Sequence, residues 1–439
     1  MLLTLVIFLL ILGLMVFVHE CGHFFTARKL GVKCNEFGFG FPPRICGIQK
    51  LTGKKLRKIG ESDKVTVKID DLQIGDNTEI IKETITEKII EIDEYVTYTK
   101  WRFFWGSTEP ELKEDELDMK QDTIYSLNWI PLGGFVQIKG ENGEGKEETD
   151  SFAYQKIWKR ALILSAGVTM NVVLCAVLLM FAYGFGAPQA IDENGPAVAA
   201  RDVKIQIVSI LDKTPAADAG FMMGDVLIAI DNQQLMQVKD VQTYIAGKAG
   251  QDITVQYERL GVKKEFTLKP TILKETGLTG IGVALSKTGI VSYPWYEAVW
   301  LGLKGTYLMF IQIIVGLAMV IKNAVIHQPL GVDVAGPVGI AVMTGRIARM
   351  GFVYILQFTA MLSLNLAIIN FLPIPALDGG RVLFLIIEKL RGRAINQKVE
   401  QVIHTVGFSL LMLLVVVVTG SDIWGYKDWF VNIWDRIIG

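Results

Sequence analysis

Histidine and cysteine are scarce in this chain, four of each in 439 residues, and neither sign of charge is in surplus, the formal net charge being −1. Without a basic excess there is no electrostatic footprint for nucleic acid or for a generally acidic partner. Cys21, Cys34, Cys46 and Cys175 form no C-x-x-C pair. They fall on segments read below as cytoplasmic or membrane-embedded, where thiols stay reduced, so no disulfide framework is expected. The apolar opening of the chain lacks a basic n-region and a small-residue cleavage site. It therefore reads as a retained helix and not as a cleaved signal peptide.

Hydrophobic residues make up 51% of the chain, and the mean hydropathy is +0.37. This is the composition of a membrane protein with substantial aqueous parts. Four segments read as membrane helices: residues 2 to about 30, 161–183, 352 to about 377, and 406 to about 418, the last being short and open to an earlier start. Arg28, Lys29 and Lys33 follow the first, Lys156, Lys159 and Arg160 precede the second, and Lys389, Arg391 and Arg393 follow the third. Positive charge marks the cytoplasmic side, so both chain ends and the region from about 184 to 346 face outward. A fifth apolar stretch, 298–321, carries only Lys304 as a charge. Were it to cross, Asp378 would emerge a membrane thickness away from the first helix's histidines, so it reads as an interfacial or re-entrant amphipathic segment.

Two of the four histidines stand together in His19-Glu20-Cys21-Gly22-His23, at the end of the first apolar run. Residues four apart share a helix face, so His19 and His23 can both present a ring nitrogen to one Zn²⁺, with Glu20 beside them as base for a water. The bland alternative is a pair of interfacial histidines capping a membrane helix. Ionisable groups at bilayer depth cost about 2.5–3.5 kcal/mol each, which favours a binding role. Cys21 points between the histidines and reads as an apolar filler. A catalytic zinc needs a third protein ligand. His327 and His404 read as polar boundary residues. Asp378 is better placed, after Pro373 and Pro375 break a membrane helix and before Gly379 and Gly380 allow close backbone approach; its alternative is a helix-ending Asp-Gly turn.

H-E-C-G-H on the first membrane helix, with Asn370-Phe-Leu-Pro-Ile-Pro-Ala-Leu-Asp-Gly-Gly380 on a later one, resembles the site-2 protease family of intramembrane metalloproteases. The resemblance implies zinc ligation by His19, His23 and Asp378, and Glu20 as catalytic base. It extends to residues 125–136, similar to the family's membrane-associated β-hairpin and including Gly133 and Gly134, and to Gly336-Pro337-Val338-Gly339. Asn365 and Asn370 match family asparagines that engage the substrate backbone. The resemblance is to the bacterial branch with a single PDZ domain, in the inner membrane. Independently, short alternating strands at 204–208, 226–230, 253–257 and 265–268, with a helix at 238–246, fit such a domain. A closed β-rich spacer with an occluded groove is the alternative. One departure from the family pattern is an insertion within 44–124, read as small and β-rich with a flexible acidic end at 109–118. Its Trp101, Phe103, Phe104 and Trp105 suit either the membrane interface or the insertion's own core.

The fold class expected is a polytopic α-helical membrane protein of about four transmembrane helices, with a membrane-associated β-hairpin and an inserted PDZ domain. Its parts are a first helix with the zinc motif (1–32), a cytoplasmic β-rich region (33–155), a second helix (156–184), an extracytoplasmic PDZ domain (185–290), an interfacial linker (291–350), a third helix with Asp378 (351–390), and a fourth helix with its tail (391–439). The resemblance implies cleavage of single-span membrane proteins such as anti-sigma factors, or of remnant signal peptides, with extended substrate held by strand addition at Gly133-Gly134. A PDZ-bearing membrane adaptor or transporter with a structural or absent metal is the alternative class.

Overall fold

A computed structural model describes residues 2–56, 95–108, 116, 118–191, 200–211, 214–234, 237–259, 261–273, 277–326, 336–393 and 395–425. Of the alternating stretches expected in the β-rich insertion, 64–69 and most of 85–99 lie outside these residues, as do most of the acidic run and His327. The chain forms two compact units, one of Met1–Thr26 with Gln155–Gly439 and the other of Ala27–Tyr154.

The smaller unit is a sheet of β1 (Cys34–Leu56), β2 (Tyr95–Trp105) and β3 (Lys120–Ile138), in the order β2-β1-β3. Residues 125–136, expected as a hairpin, lie within β3, but its two arms do not pair with each other. Phe37 of β1 is level with Tyr125 on one side and Val136 on the other. Gly38 permits this insertion, because a Cβ there would lie 2.4 Å from the Phe135 ring and 2.6 Å from Ser126 Oγ. Asn128 Nδ2 donates to Gly40 O at 2.9 Å and ties the bend of β3 to β1. Cys34 is buried at the start of β1, and burial pushes its thiol up to about 12, so it is an inert core group. Of the insertion's aromatics, only Phe104 is buried; Trp101, Phe103 and Trp105 are exposed on the opposite face. Glu116, in the run expected to be flexible, is buried and lies 2.5 Å from Lys100 Nζ.

The larger unit joins a helical bundle to a β domain. Its helices α1 (Leu2–Lys29) and α2 (Ile157–Phe185) precede the β domain. That domain has the strand order β4-β11-β5-β6-β7-β8. These are β4 (Ala187–Ala190), β5 (Arg201–Ile210), β6 (Val226–Ile230), β7 (Ile253–Arg259), β8 (Val262–Leu268) and β11 (Val283–Val291). The short β9 (Thr271–Ile272) and β10 (Thr279–Gly280) pair with each other, and α3 (Pro215–Asp218) and α4 (Val238–Ala246) complete it. Every strand and helix expected from the sequence here falls inside one of these elements. Ile207, Ile230, Val241, Ile253 and Val255 form its core, supplied by the alternate inward residues of three strands and one helix face. Buried Asp225 accepts from Arg259 Nε at 2.7 Å and Nη2 at 2.6 Å, so the charge is paired.

After the β domain come α5 (Trp295–Val325), α6 (Pro337–Met350), α7 (Phe352–Phe371), α8 (Asp378–Arg391) and α9 (Gln397–Gly425). Among the described residues, α1, α2, α5, α7 and α9 are long and apolar enough to cross a membrane. The third expected helix stops at Phe371, six residues before 377, because Pro373 drives Leu372 out of the helical region to ψ 145°. The fourth starts nine residues earlier than 406, at Gln397.

Contacts sort the helix ends into two levels. At one level the start of α1 meets α6 (Thr4 against Gly345), the end of α2 meets the start of α7 (Phe185 and Phe352 rings, 6.1 Å), and the end of α9 meets the start of α6. At the other, Asp378 lies among the histidines of α1, and Pro375 rests on Gly407 of α9. The stretch expected to be interfacial or re-entrant runs lengthways along α2. Tyr293 N donates to Tyr183 O, a Cβ on Gly302 would lie 2.5 Å from Met180 Cγ, and Thr306 Oγ1 is 3.7 Å from Cys175 Sγ. As the number rises on α5 it falls on α2, so the pair is antiparallel, and the small residues at 302, 305 and 306 let the backbones close. By Gly336 the chain is back at the level from which α5 started.

That return is fastened by one carboxylate. Asp422 of α9, 8% exposed, accepts from Gly339 N at 2.7 Å and Gly336 N at 3.3 Å, capping α6, which has no side-chain cap of its own. Asp422→Ala leaves these N–H groups unpaired in a buried setting and should cost about 1–3 kcal/mol. A lowered thermal midpoint of the detergent-solubilised protein, partly restored by Asp422→Asn, is the expected result.

Candidate metal centre

His19 and His23 occupy successive turns of α1, and the helical period places both rings on the face turned to α2 and α8. Asp378 opens α8, where the helix N-terminus favours a carboxylate. His19 Nε2 lies 2.9 Å from Asp378 Oδ2, His23 Nε2 lies 3.4 Å from the same oxygen, and the two Nε2 atoms are 3.2 Å apart. Zinc arms of about 2.0–2.1 Å put neighbouring tetrahedral ligand atoms about 3.3 Å apart. The three separations bracket that value. Asp378 Oδ2 is buried and faces both Nε2 atoms, so three potential ligand atoms converge on a position that suits a cation. The donor set fits zinc, and these three are the residues that can hold it.

The ring orientations have identifiable causes. His23 Nδ1–H donates to Ile163 O of α2 at 2.8 Å, which leaves Nε2 as the acceptor atom. The Asn171 side-chain amide lies 3.5 Å from His19 Nδ1, and Asn171 Oδ1 is otherwise without a donor. With the amide turned so that Oδ1 faces the ring, His19 Nδ1–H donates to it and both histidines share one tautomer. Ser363 Oγ of α7 donates to Asn171 O at 2.9 Å, anchoring this part of α2 from a third helix.

Two glycines make the approach possible. A Cβ on Gly22 would lie 2.4 Å from Ala166 O, so α1 and α2 touch through backbone. A Cβ on Gly167 would lie 2.4 Å from His23 Nε2 and 2.7 Å from His19 Cε1, within the space between the rings. The loop bearing Asp378 is folded as tightly: a Cβ on Gly379 or Gly380 would come within 2.3 Å of a carbonyl of the preceding turn. Ala376 adopts φ +79°, and its N–H donates to His404 Nδ1 at 2.9 Å. His404, read from sequence as a boundary residue, supports the strained loop two residues before the ligand.

Glu20 is half-buried and lines a cleft of about 190 Å³ with Val16, His19, Leu366, Asn370 and Asp378. Asn370 therefore stands in the wall of the site. Asn365 does not line this cleft: it lies about 100° round α7 from Leu366, and its Nδ2 donates to Met361 O at 3.1 Å within the same helix. Gly133, at φ +97°, and Gly134, level with Phe39, belong to the sheet unit. Cys21 is not among the converging ligand groups, and the four cysteines are free. Gly167, Asn171 and His404 were missed as site residues. The signal for the first two was a glycine and an amide in the middle of an apolar span.

Comparison with known proteins follows this geometry. The sequence model of peptidase family M50 matches residues 7–56 and 116–414. Regulator of sigma-W protease RasP of Bacillus subtilis is 28% identical over 438 residues, spanning 96% of this chain and 98% of that protein. Zinc metalloprotease RasP of Oceanobacillus iheyensis is 30% identical over 447 residues, spanning 96% and 98%. Among solved structures, the PDZ domain of an SdrC-like protein of Listeria monocytogenes is similar at 24% identity and a TM-score of 0.18, covering 21% of this chain and 93% of that one.

Gly167→Ala supplies the test of the cradle. Alanine should favour the helix by about 0.5–1 kcal/mol while placing its methyl between the ligand rings. The expected outcome is an unchanged or raised thermal midpoint in the metal-free protein, with zinc content at least tenfold below one per chain by elemental analysis. The family match takes in His19, Glu20, His23 and Asp378 and most of the chain, and so the chain belongs to peptidase family M50, the site-2 protease family of intramembrane zinc metalloproteases.

Proposed function

We propose that this intramembrane protease hydrolyses the membrane segments of single-span proteins at the centre formed by His19, His23 and Asp378, with Glu20 as its base. The observation that carries this is the convergence of three ligand atoms beside a fourth, non-ligating acid in one cleft. A structural zinc site is closed by four protein ligands, whereas three leave a position open, which counts against an adaptor or transporter with a structural metal. Zinc, when bound, supplies Lewis-acid chemistry, acidifying water and polarising a carbonyl. Glu20 accepts the proton of the attacking water and returns it to the leaving amine. Asn370 meets the substrate backbone from the cleft wall, and a like role for Asn365 requires the substrate to pass along the neighbouring face of α7. Among the described residues the arm 134–138 of β3 pairs on one side only, with β1, which supports strand addition beside Gly133 and Gly134.

The positive clusters support a cytoplasmic sheet unit and zinc end, with the β domain, read as PDZ, outside. Four helices, α1, α2, α7 and α9, then cross, and α5 enters the membrane beside α2 as the re-entrant segment. An outer domain so far from the zinc acts as a gate, admitting substrates already trimmed to a short outer portion. The Bacillus subtilis relative is named a regulator of sigma-W, and by that likeness anti-sigma factors are a substrate class here, with remnant signal peptides as another.

Glu20→Gln should lower cleavage of a trimmed single-span substrate by about 10²–10⁴-fold while zinc stays near one per chain. His19→Ala, His23→Ala or Asp378→Ala should lose both. Substantial turnover by Glu20→Gln removes Glu20 from the reaction. For topology, cysteines introduced at Lys33 and Arg393 should react with an impermeant thiol reagent only from the cytoplasmic side, and one at Gln233 only from outside. Outward labelling at Arg393 refutes the four-crossing arrangement.

A further inference from the structure

β2 lies wholly inside residues 57–115, the stretch between the two parts of the family match. The covered face of the sheet encloses charge beside the apolar Leu51 and Ile124: Arg44 Nε donates to Glu36 Oε1 at 3.0 Å, Arg102 Nη2 donates to Gln49 Oε1 at 2.8 Å, and Arg44 and Arg102 both lie over the buried Phe104 ring. The uncovered face holds apolar groups. Trp101, Phe103 and Trp105 are 58%, 57% and 72% exposed. The register carries this face across the sheet, since Phe103 is level with Ile48, Trp105 with Cys46, and Cys46 in turn with Leu127 of β3, itself 45% exposed. Trp129, two residues further along β3, is 67% exposed.

A one-faced sheet in water buries its apolar side and solvates its polar side. This one leaves a second apolar face uncovered, in a unit that includes the last turn of α1, residues 27–29. Arg28 of that turn donates to Tyr125 Oη of β3 at 2.8 Å, so the sheet is fastened to the end of a membrane helix. Tryptophan concentrates where headgroups meet acyl chains. Lys50 is level with Trp101, where a long stem reaches along the apolar face and keeps its ammonium among headgroups.

We propose that β2 is an interfacial anchor whose Trp101, Phe103 and Trp105 face rests in the headgroup–acyl boundary of the bilayer. The surface is at the opposite edge of the sheet from the β3 arm assigned to substrate, and does not depend on that assignment or on the protease chemistry. The partner is lipid; a second copy of the chain or another protein is an outcome of the test.

The full chain, purified and reconstituted into vesicles of phosphatidylethanolamine and phosphatidylglycerol, carries the photo-crosslinker p-benzoyl-phenylalanine in place of Trp101, Phe103, Trp105, Trp129 or the exposed Glu147, one position at a time. Each replacement at an aromatic site is another aromatic on an exposed face, and three positions on β2 guard against any one that fails to fold. Irradiation should add the mass of a phospholipid at 101, 103 and 105 at a yield several-fold above that at 147. Phospholipid yields on β2 no higher than at 147 overturn the proposal, and if Trp129 alone reacts with lipid, contact is confined to β3 and the proposal again fails. Adducts on β2 with the mass of a second chain replace it with a protein interface.

Discussion

The backbone contact between α1 and α2 at Gly22, Ala166 and Gly167 is the constraint on which the rest depends. Two imidazoles and a carboxylate converge only if the helices carrying them approach more closely than side chains normally allow, and a Cβ at either glycine would lie within 2.4 Å of an atom of the opposite helix. Glycine inside a helix costs about 0.5–1 kcal/mol relative to alanine. Metal-binding free energies on the order of 10 kcal/mol exceed that loss many times over. The space between the two imidazole rings therefore outweighs helix propensity at Gly167, and the second span keeps a residue that weakens it locally.

The third member of the cluster arrives by a different device. Asp378 follows a break, and a break inside a membrane leaves backbone groups that lipid cannot satisfy. Here they are met from within the bundle: Ala376 N–H by His404, Ile374 N–H by Leu372 O, and Leu377 N–H by Ile374 O. Pro373 and Pro375 stop the helix, and Gly379 and Gly380 let the loop fold back onto the start of α8. Arg160 of α2 bonds both oxygens of Glu388 at 3.2 Å, so α8 is also held from the far side of the site. The carboxylate is thus placed by α2, α7 and α9 together.

What was legible in the sequence divides along a physical line. His19, Glu20, His23 and Asp378 could be read because their spacing and chemistry are costly in an apolar run unless they bind something. The β domain could be read because alternation with period two and turn residues are local properties. Gly167, Asn171 and His404 could not be assigned roles, since each acts on a partner distant in sequence: Asn171 on His19, His404 on Ala376. Pairing in the sheet unit was hidden for the same reason. The family resemblance pointed to a hairpin at 125–136, and only the tertiary register shows β1 lying between its arms. The path of α5 along α2 was likewise beyond hydropathy, which measures how apolar a helix is and not what it packs against.

Polarity itself records which solvent each part meets. In the β domain, isoleucine and valine are inside and charged residues outside, as water requires. In the bundle the order reverses: Asn171 and Ser363 are fully buried while Leu10 and Leu410 are 65% and 61% exposed. The sheet unit combines the two, with Leu51 and Ile124 buried beside arginine and glutamate on one face and tryptophan bare on the other. A buried ion pair gains little over a well-packed apolar core, so the arrangement has no advantage in water, where the bare tryptophans would also be a liability. Against lipid both terms change sign, because the apolar face is solvated and the charges are the groups to be enclosed. The same rule accounts for the buried polar groups at the centre of the bundle and for the bare aromatic face of the sheet.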